Sequence, residues 1–299
     1  MTRFRYRQLE LRDSPAEQFV ELYTNLVYRQ TDGGSLLPGG RQLRYDFLKP
    51  QSDVPTPLVV FFKGGGFRTV HRARYLPALM ALARTGTAVA SVEYRTSNEC
   101  RFPGQVEDAK AAVRYFRRNA AQLNLAPQAI AAWGNSAGGT VATVLGATNG
   151  QDPADDGHHG PSIDSSVCAV ADWYGVVDAR RVAEGTDADA ETVLRTLLGP
   201  HDPDDNPWFE PATYLGPCTP PMLLVHGDDD KVVDISQSDS LARELERRAL
   251  PYEYLVVRGA GHSFRDISTR SDALQATCDF LRRNLDDAMG PDDDPEPTD

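Results

Sequence analysis

Apolar residues in this chain fall into short runs separated by stretches with helical spacing. Leu58-Val59-Val60-Phe61-Phe62, Ala88-Val89-Ala90-Ser91-Val92, Ala129-Ile130-Ala131-Ala132-Trp133, Val167-Cys168-Ala169-Val170-Ala171 and Met222-Leu223-Leu224-Val225 are apolar almost throughout. Runs of that kind predict strands covered on both faces. Tyr252–Val257 predicts a further strand. Leu43-Arg44-Tyr45-Asp46-Phe47-Leu48 alternates apolar with polar residues, which predicts a half-exposed strand. Helices are expected over Tyr75–Arg84, Val106–Asn119, Ala137–Ala147 and Leu274–Leu285. In the second of these, Val106, Ala109, Val113 and Phe116 repeat at helical spacing. Near the start of the chain, Ser14 followed by Pro15 is a helix-start signal, and it predicts a helix running through Tyr23. Strands alternating with helices imply an α/β fold with a mostly parallel, doubly wound sheet and helices on both faces.

This pattern also sets the expected domain organisation. Residues 1–285 are expected to form one domain, with an N-terminal extension over 1–40. The segment 176–221 is rich in Asp, Pro and Gly, with one helix expected near Ala190–Leu198, and is expected to be an insertion near the site. The tail 286–299 holds seven acidic residues and three prolines, a composition that favours disorder.

Composition narrows the partners. A net charge of −12 argues against nucleic acid and against anionic membrane surfaces. Cys100, Cys168, Cys218 and Cys278 form no C-x-x-C pair, which suits a reducing compartment and gives no zinc pattern. The basic N-terminus lacks the apolar run of a signal peptide, and no segment approaches the length of a membrane span. A cytoplasmic location is expected. His158 and His159 lie near Asp152, Asp155 and Asp156, but their spacing matches no ligand motif, so no metal is expected.

Candidate chemistry centres on Gly134-Asn135-Ser136-Ala137-Gly138, set between an apolar strand and a helix. A serine on such a turn needs small neighbours so that the backbone can double back. The helix that starts there favours negative charge at its N-terminus. A serine hydroxyl needs a base, and the base needs an orienting carboxylate. Of the six histidines, His262 lies in the loop after the last strand and before the last helix. His71, His158, His159, His201 and His226 are placed less suitably. The acid is expected between Ser136 and His262 in sequence. Asp228, Asp229, Asp230 and Asp234 are all candidates on that basis. Oxyanion donors are expected from the backbone of Ala137 and of the glycine loop Gly64-Gly65-Gly66. Neither a dinucleotide fingerprint nor a P-loop is present.

Together Lys63-Gly64-Gly65-Gly66-Phe67, Glu93-Tyr94-Arg95, Phe102-Pro103 with Glu107-Asp108, the serine turn, His226-Gly227-Asp228-Asp229-Asp230 and Gly261-His262 resemble the α/β-hydrolase superfamily. More narrowly they resemble its bacterial acetyl/feruloyl-esterase-like branch, related to hormone-sensitive-lipase-type carboxylesterases. The resemblance runs from about Tyr28 to Leu285. It implies an α/β-hydrolase fold and hydrolysis of small or medium acyl esters without a cofactor. It places Ser136 as nucleophile, His262 as base and Asp230 as acid, with oxyanion donors from Gly65, Gly66 and Ala137. Phe67, Trp173, Tyr174 and Trp208 are candidate pocket residues. Two positions depart from the branch: Lys63 stands where histidine is usual, and Asn135 where an acid is more common. An amide hydrolase such as an arylformamidase-like enzyme, or a non-catalytic ligand-binding protein, would share this fold. The sequence leaves the oligomeric state open.

Overall fold

The computed structural model describes residues 18–31, 40–151, 163–178, 195–199, 210–264 and 267–290. Eight strands form one sheet: β1 (Val20–Gln30), β2 (Gln42–Pro50), β3 (Thr56–Phe62), β4 (Ala88–Val92), β5 (Leu125–Asn135), β6 (Val170–Trp173), β7 (Met222–Gly227) and β8 (Tyr252–Val257). Their order is β1-β2-β4-β3-β5-β6-β7-β8. The pairs β1–β2 and β2–β4 are antiparallel, and the remainder are parallel.

Among the described residues the helices include α1 (Leu76–Ala83), α2 (Gly104–Arg118), α3 (Ala120–Leu123), α4 (Ala137–Ala147), α5 (Ser236–Arg247) and α6 (Ile267–Met289). They divide between the two faces, which explains the unbroken apolar runs. Leu58, Val60 and Phe62 of β3 join a core with α2, α4 and α5. Val59 and Phe61 of the same strand join a second core with α1 and α6. Successive strand residues point to opposite faces, so a strand covered twice has no polar side. This is the α/β-hydrolase architecture.

Several elements differ from the sequence expectation. The helix expected through Tyr23 is replaced by β1, and its start signal lies outside the described residues. Val20, Leu22, Tyr23, Val27 and Tyr28 suit a strand, and β2 offers an edge along which β1 pairs from Val20↔Pro50 to Gln30↔Gln42. Part of the expected N-terminal extension is therefore a strand of the sheet. Strand β2 is mostly buried, not half-exposed, because Tyr45 and Phe47 pack on Phe116 of α2 from one face while Leu48 joins the core with α1 on the other. Its polar Asp46 is buried by pairing with Arg72 at 3.2 Å and by accepting the Asn25 N–H at 2.9 Å. Strand β6 starts at Val170, three residues after the expected position. Helix α6 continues to Met289, into the expected tail, because Leu285 is buried and Ala288 packs on the same core. The sequence reading missed α5 altogether, although Leu241, Ala242 and Leu245 mark its buried stripe. Of the helix expected near Ala190–Leu198, residues 195–198 are helical and the rest lie outside the described residues.

Candidate active site

The serine turn is built by close approach of backbones. Strand β5 ends at Asn135 and α4 starts at Ala137, so the chain reverses at Ser136, which has φ 53° and ψ −128°. A non-glycine residue there is strained, and the surroundings must hold it in place. The Ser136 N–H donates to Trp173 O at 2.8 Å from neighbouring β6. A Cβ at Gly134 would stand 2.0 Å from Gly138 O, and one at Gly138 would stand 1.9 Å from Phe62 O. Neither position has room for a side chain.

The loops after β7 and β8 bring two more groups to this turn. His262 Nδ1 donates to Asp230 Oδ2 at 2.7 Å, which leaves Nε2 to accept from the Ser136 hydroxyl at 3.1 Å. Asp230 Oδ1 accepts the N–H groups of Val232 and Val233 at 2.8 and 3.0 Å. Burial alone would raise the Asp230 pKa. Hydrogen bonds from His226, His262 and the Val233 N–H outweigh it and hold the carboxyl well below the usual range. The group is an anion facing an imidazole.

The other two aspartates of the run have different surroundings. Asp228 Oδ1 accepts the Gly259 N–H at 2.6 Å, tying the turn after β7 to the loop after β8. Asp229 is exposed and pairs with Lys231 at 2.7 Å.

Sequence reasoning missed His226. It is fully buried beneath Asp230, with Nε2 3.5 Å from Asp230 Oδ2. Nε2 donates to Val233 O at 2.9 Å, and Nδ1 accepts from Ser238 Oγ of α5 at 2.7 Å. The nearest signal was its place two residues before the aspartate run. Asp172 is also buried, accepting Thr143 Oγ1 at 3.0 Å and the Gly175 N–H at 2.9 Å. Burial pushes its carboxyl up to about 6.

The glycine loop lies on the other side of Ser136. A Cβ at Gly64 would stand 2.2 Å from Asn135 O and 2.8 Å from Ser136 Cβ, so this loop touches the serine turn. The Gly64 N–H donates to Asn135 Oδ1 at 3.0 Å. Tyr94 Oη donates to Lys63 O at 2.7 Å, and Ser97 N–H donates to Phe67 O at 2.7 Å. The segment after β4 thus holds both ends of the loop. Gly66 has φ 58°, with open space where a side chain would be.

The candidate pocket residues separate. Phe67 is buried against the Phe102 ring at 6.4 Å, beside the glycine loop. Trp173 is instead a core residue, packed on Trp133 and Phe264, with Nε1 donating to Thr277 Oγ1 at 2.9 Å under α6. Its strand position points it to the face covered by α1 and α6. Tyr174 is fully buried, its ring 4.6 Å from the His262 ring, and its hydroxyl is 3.2 Å from that of Tyr75. It backs the imidazole. Trp208, His158, His159 and His201 lie outside the described residues. His71 is exposed ahead of the 3-10 turn Arg72–Tyr75. Among the described residues no group of three or more His, Cys, Asp or Glu could hold a metal ion, and no helix is long and apolar enough to cross a membrane.

This arrangement has parallels among known proteins. The BD-FAE family profile matches residues 46–245. The esterase LipQ of Mycobacterium tuberculosis is 28% identical over 257 residues, 82% of this chain and 60% of LipQ. The chain thus spans about 60% of the length of that curated relative. A truncated carbohydrate esterase from gut microbiota has a TM-score of 0.74 at 28% identity, covering 90% of this chain and 98% of that one. A thermophilic esterase from Thermogutta terrifontis, solved with propionate bound, has a TM-score of 0.71 at 26% identity, covering 89% and 94%.

Proposed function

The chain belongs to the BD-FAE family and has the α/β-hydrolase fold, and from that premise we propose that it is a serine carboxylesterase acting on small or medium acyl esters. One observation carries the reading: on a strained strand-to-helix turn, the Ser136 hydroxyl meets His262 Nε2 while Asp230 holds Nδ1. In this reading Ser136 Oγ attacks the ester carbonyl as His262 takes its proton. The Asp230 anion stabilises the imidazolium that forms and fixes the ring's orientation. Backbone N–H groups of Gly65, Gly66 and Ala137 receive the developing oxyanion. Donors of this kind are worth roughly 10²–10³-fold in kcat each. His262 returns the proton to the leaving alcohol, then activates the water that releases the acid from the acyl-enzyme.

Phe67 against Phe102 beside the glycine loop supports a short acyl group, as does the propionate bound to the Thermogutta esterase. The machinery needs no cofactor. Four unpaired cysteines support a reducing compartment. The test is stoichiometric labelling by a fluorophosphonate, paired with turnover of acetyl, butyryl, octanoyl and feruloyl esters against N-formyl and anilide substrates. Ser136→Ala should block labelling and lower kcat by roughly 10³-fold or more. Retention of more than about a tenth of wild-type turnover would remove Ser136 as nucleophile.

A further inference from the structure

The glycine loop opens with a buried lysine that the proposed mechanism does not use. Lys63 ends the run after β3 and is 7% exposed. Its Nζ donates to the carbonyl of Gly64, the one hydrogen bond described for it among the described residues. The Tyr75 ring lies beneath the ammonium, 5.4 Å from Nζ to the centroid. Its own carbonyl is taken by Tyr94 Oη. The Gly64 carbonyl and the Gly65 N–H belong to one planar trans peptide and point in opposite directions. Whatever fixes the carbonyl fixes the donor. A cation on the carbonyl oxygen also polarises the peptide and makes its N–H the stronger donor.

We propose that Lys63 is a positioning residue, whose ammonium holds and polarises the Gly64–Gly65 peptide so that the Gly65 N–H meets the oxyanion. This rests on the ester-hydrolase reading, because only there is Gly65 a donor to substrate. Its consequence is an alkaline limit on turnover that belongs to the loop and not to the histidine. Among the described residues Arg74 and Tyr75 from the 3-10 turn act on the Lys63 ammonium, while Tyr94 from the segment after β4 holds the Lys63 carbonyl and Asn135 at the end of β5 holds the Gly64 N–H. Burial, and then the Arg74 charge, push the Lys63 amine down to about 8. Above that pH the loop loses its cation.

The amine's folded value lies below its ordinary 10.5, so between pH 8 and 10.5 the unfolded chain binds more protons. This group therefore makes the fold more stable as pH rises. Activity and stability should move in opposite directions, which a purely structural role would not produce.

The experiment measures kcat, KM and Tm of the wild type and of Lys63→Met from pH 7 to 9 on p-nitrophenyl acetate, with spontaneous hydrolysis subtracted. Wild-type kcat should fall by about fivefold around pH 8, with KM steady and Tm unchanged or higher. Lys63→Met should start near the wild type's alkaline level and stay flat. A wild-type kcat that is flat, or that falls in step with Tm, overturns the proposal, even if Lys63→Met does not fold. So does a folded Lys63→Met enzyme that keeps the alkaline fall. Fluorophosphonate labelling of the same samples separates the two readings. An unlabelled Ser136 removes the hydrolase reading and this role with it, whereas a labelled Ser136 with no alkaline fall removes this role alone.

Discussion

The two sides of Ser136 are assembled on different principles. On the histidine side, ionisable side chains meet one another: His262 on Asp230, with the His226 ring beneath. Each is held by a second partner, such as the Val232 and Val233 N–H groups on Asp230 or Ser238 on His226. On the glycine side, the working groups are peptide bonds. They are placed by what touches their carbonyls and amides: Lys63 on Gly64 O, Asn135 on Gly64 N–H, Tyr94 on Lys63 O and Ser97 on Phe67 O. One side changes charge during the proposed reaction. The other only has to be in position when charge arrives. A lost side chain should therefore be catastrophic on the first side and graded on the second.

The strongest test of that contrast is Asp230→Asn. It keeps the shape but favours the wrong histidine tautomer, and kcat should fall on the order of 10⁴-fold. A loss under about a hundredfold would mean that another group orients His262 and would break the comparison. Next is Tyr94→Phe, which removes one bond to the buried Lys63 carbonyl. Leaving a buried acceptor unpaired costs about 1–3 kcal/mol, so Tm should fall and kcat should drop by about tenfold or less. A drop as deep as that of Asp230→Asn would show the glycine side to be as brittle as the other. Asp228→Ala should be smaller again, lowering Tm through the lost bond to the Gly259 N–H with kcat nearly unchanged. The exposed Asp229→Asn should alter neither quantity. If instead it proves the inactive variant, the acid loop in solution is shifted by one residue from the geometry described.

The same contrast explains what could be read from the sequence. Strands β3, β4 and β7 follow the hydrophobic pattern, because burial on two faces leaves a continuous apolar signal, and strand β8 and helices α1, α2 and α4 also lie where the pattern puts them. Ser136, His262 and the Asp228–Asp230 run were visible because their chemistry lies in the side chain. Strand β1 was not, since an edge strand is mostly exposed and its pairing partner lies many residues away. The burial of Asp46 was hidden for a similar reason: its partner Arg72 comes from another element. Trp173 and Tyr174 were visible as aromatic residues, but not which way they point. Trp173 ends β6, and Tyr174 follows it at φ 47°, so both rings enter the same core and that of Tyr174 comes to rest behind the histidine. His226 looked like a strand end because nothing local marks it as the floor of Asp230.

The distance along the chain between Ser136 and its partners has a consequence for biosynthesis. His262 lies 126 residues after the serine it contacts, and Asp230 lies 32 residues before His262. Contacts between such distant residues form late, after the intervening chain has been ordered. During translation the strained turn, with β3 and β5 beside it, can emerge long before any base is available to it. A ribosome-bound chain ending anywhere before Asp230 would carry the hydroxyl but neither its base nor its acid, and should be inert toward esters and fluorophosphonates alike. Reactivity should appear as a step once the loop after β8 has cleared the exit tunnel, so that the enzyme is silent until the last strand of the sheet has been made.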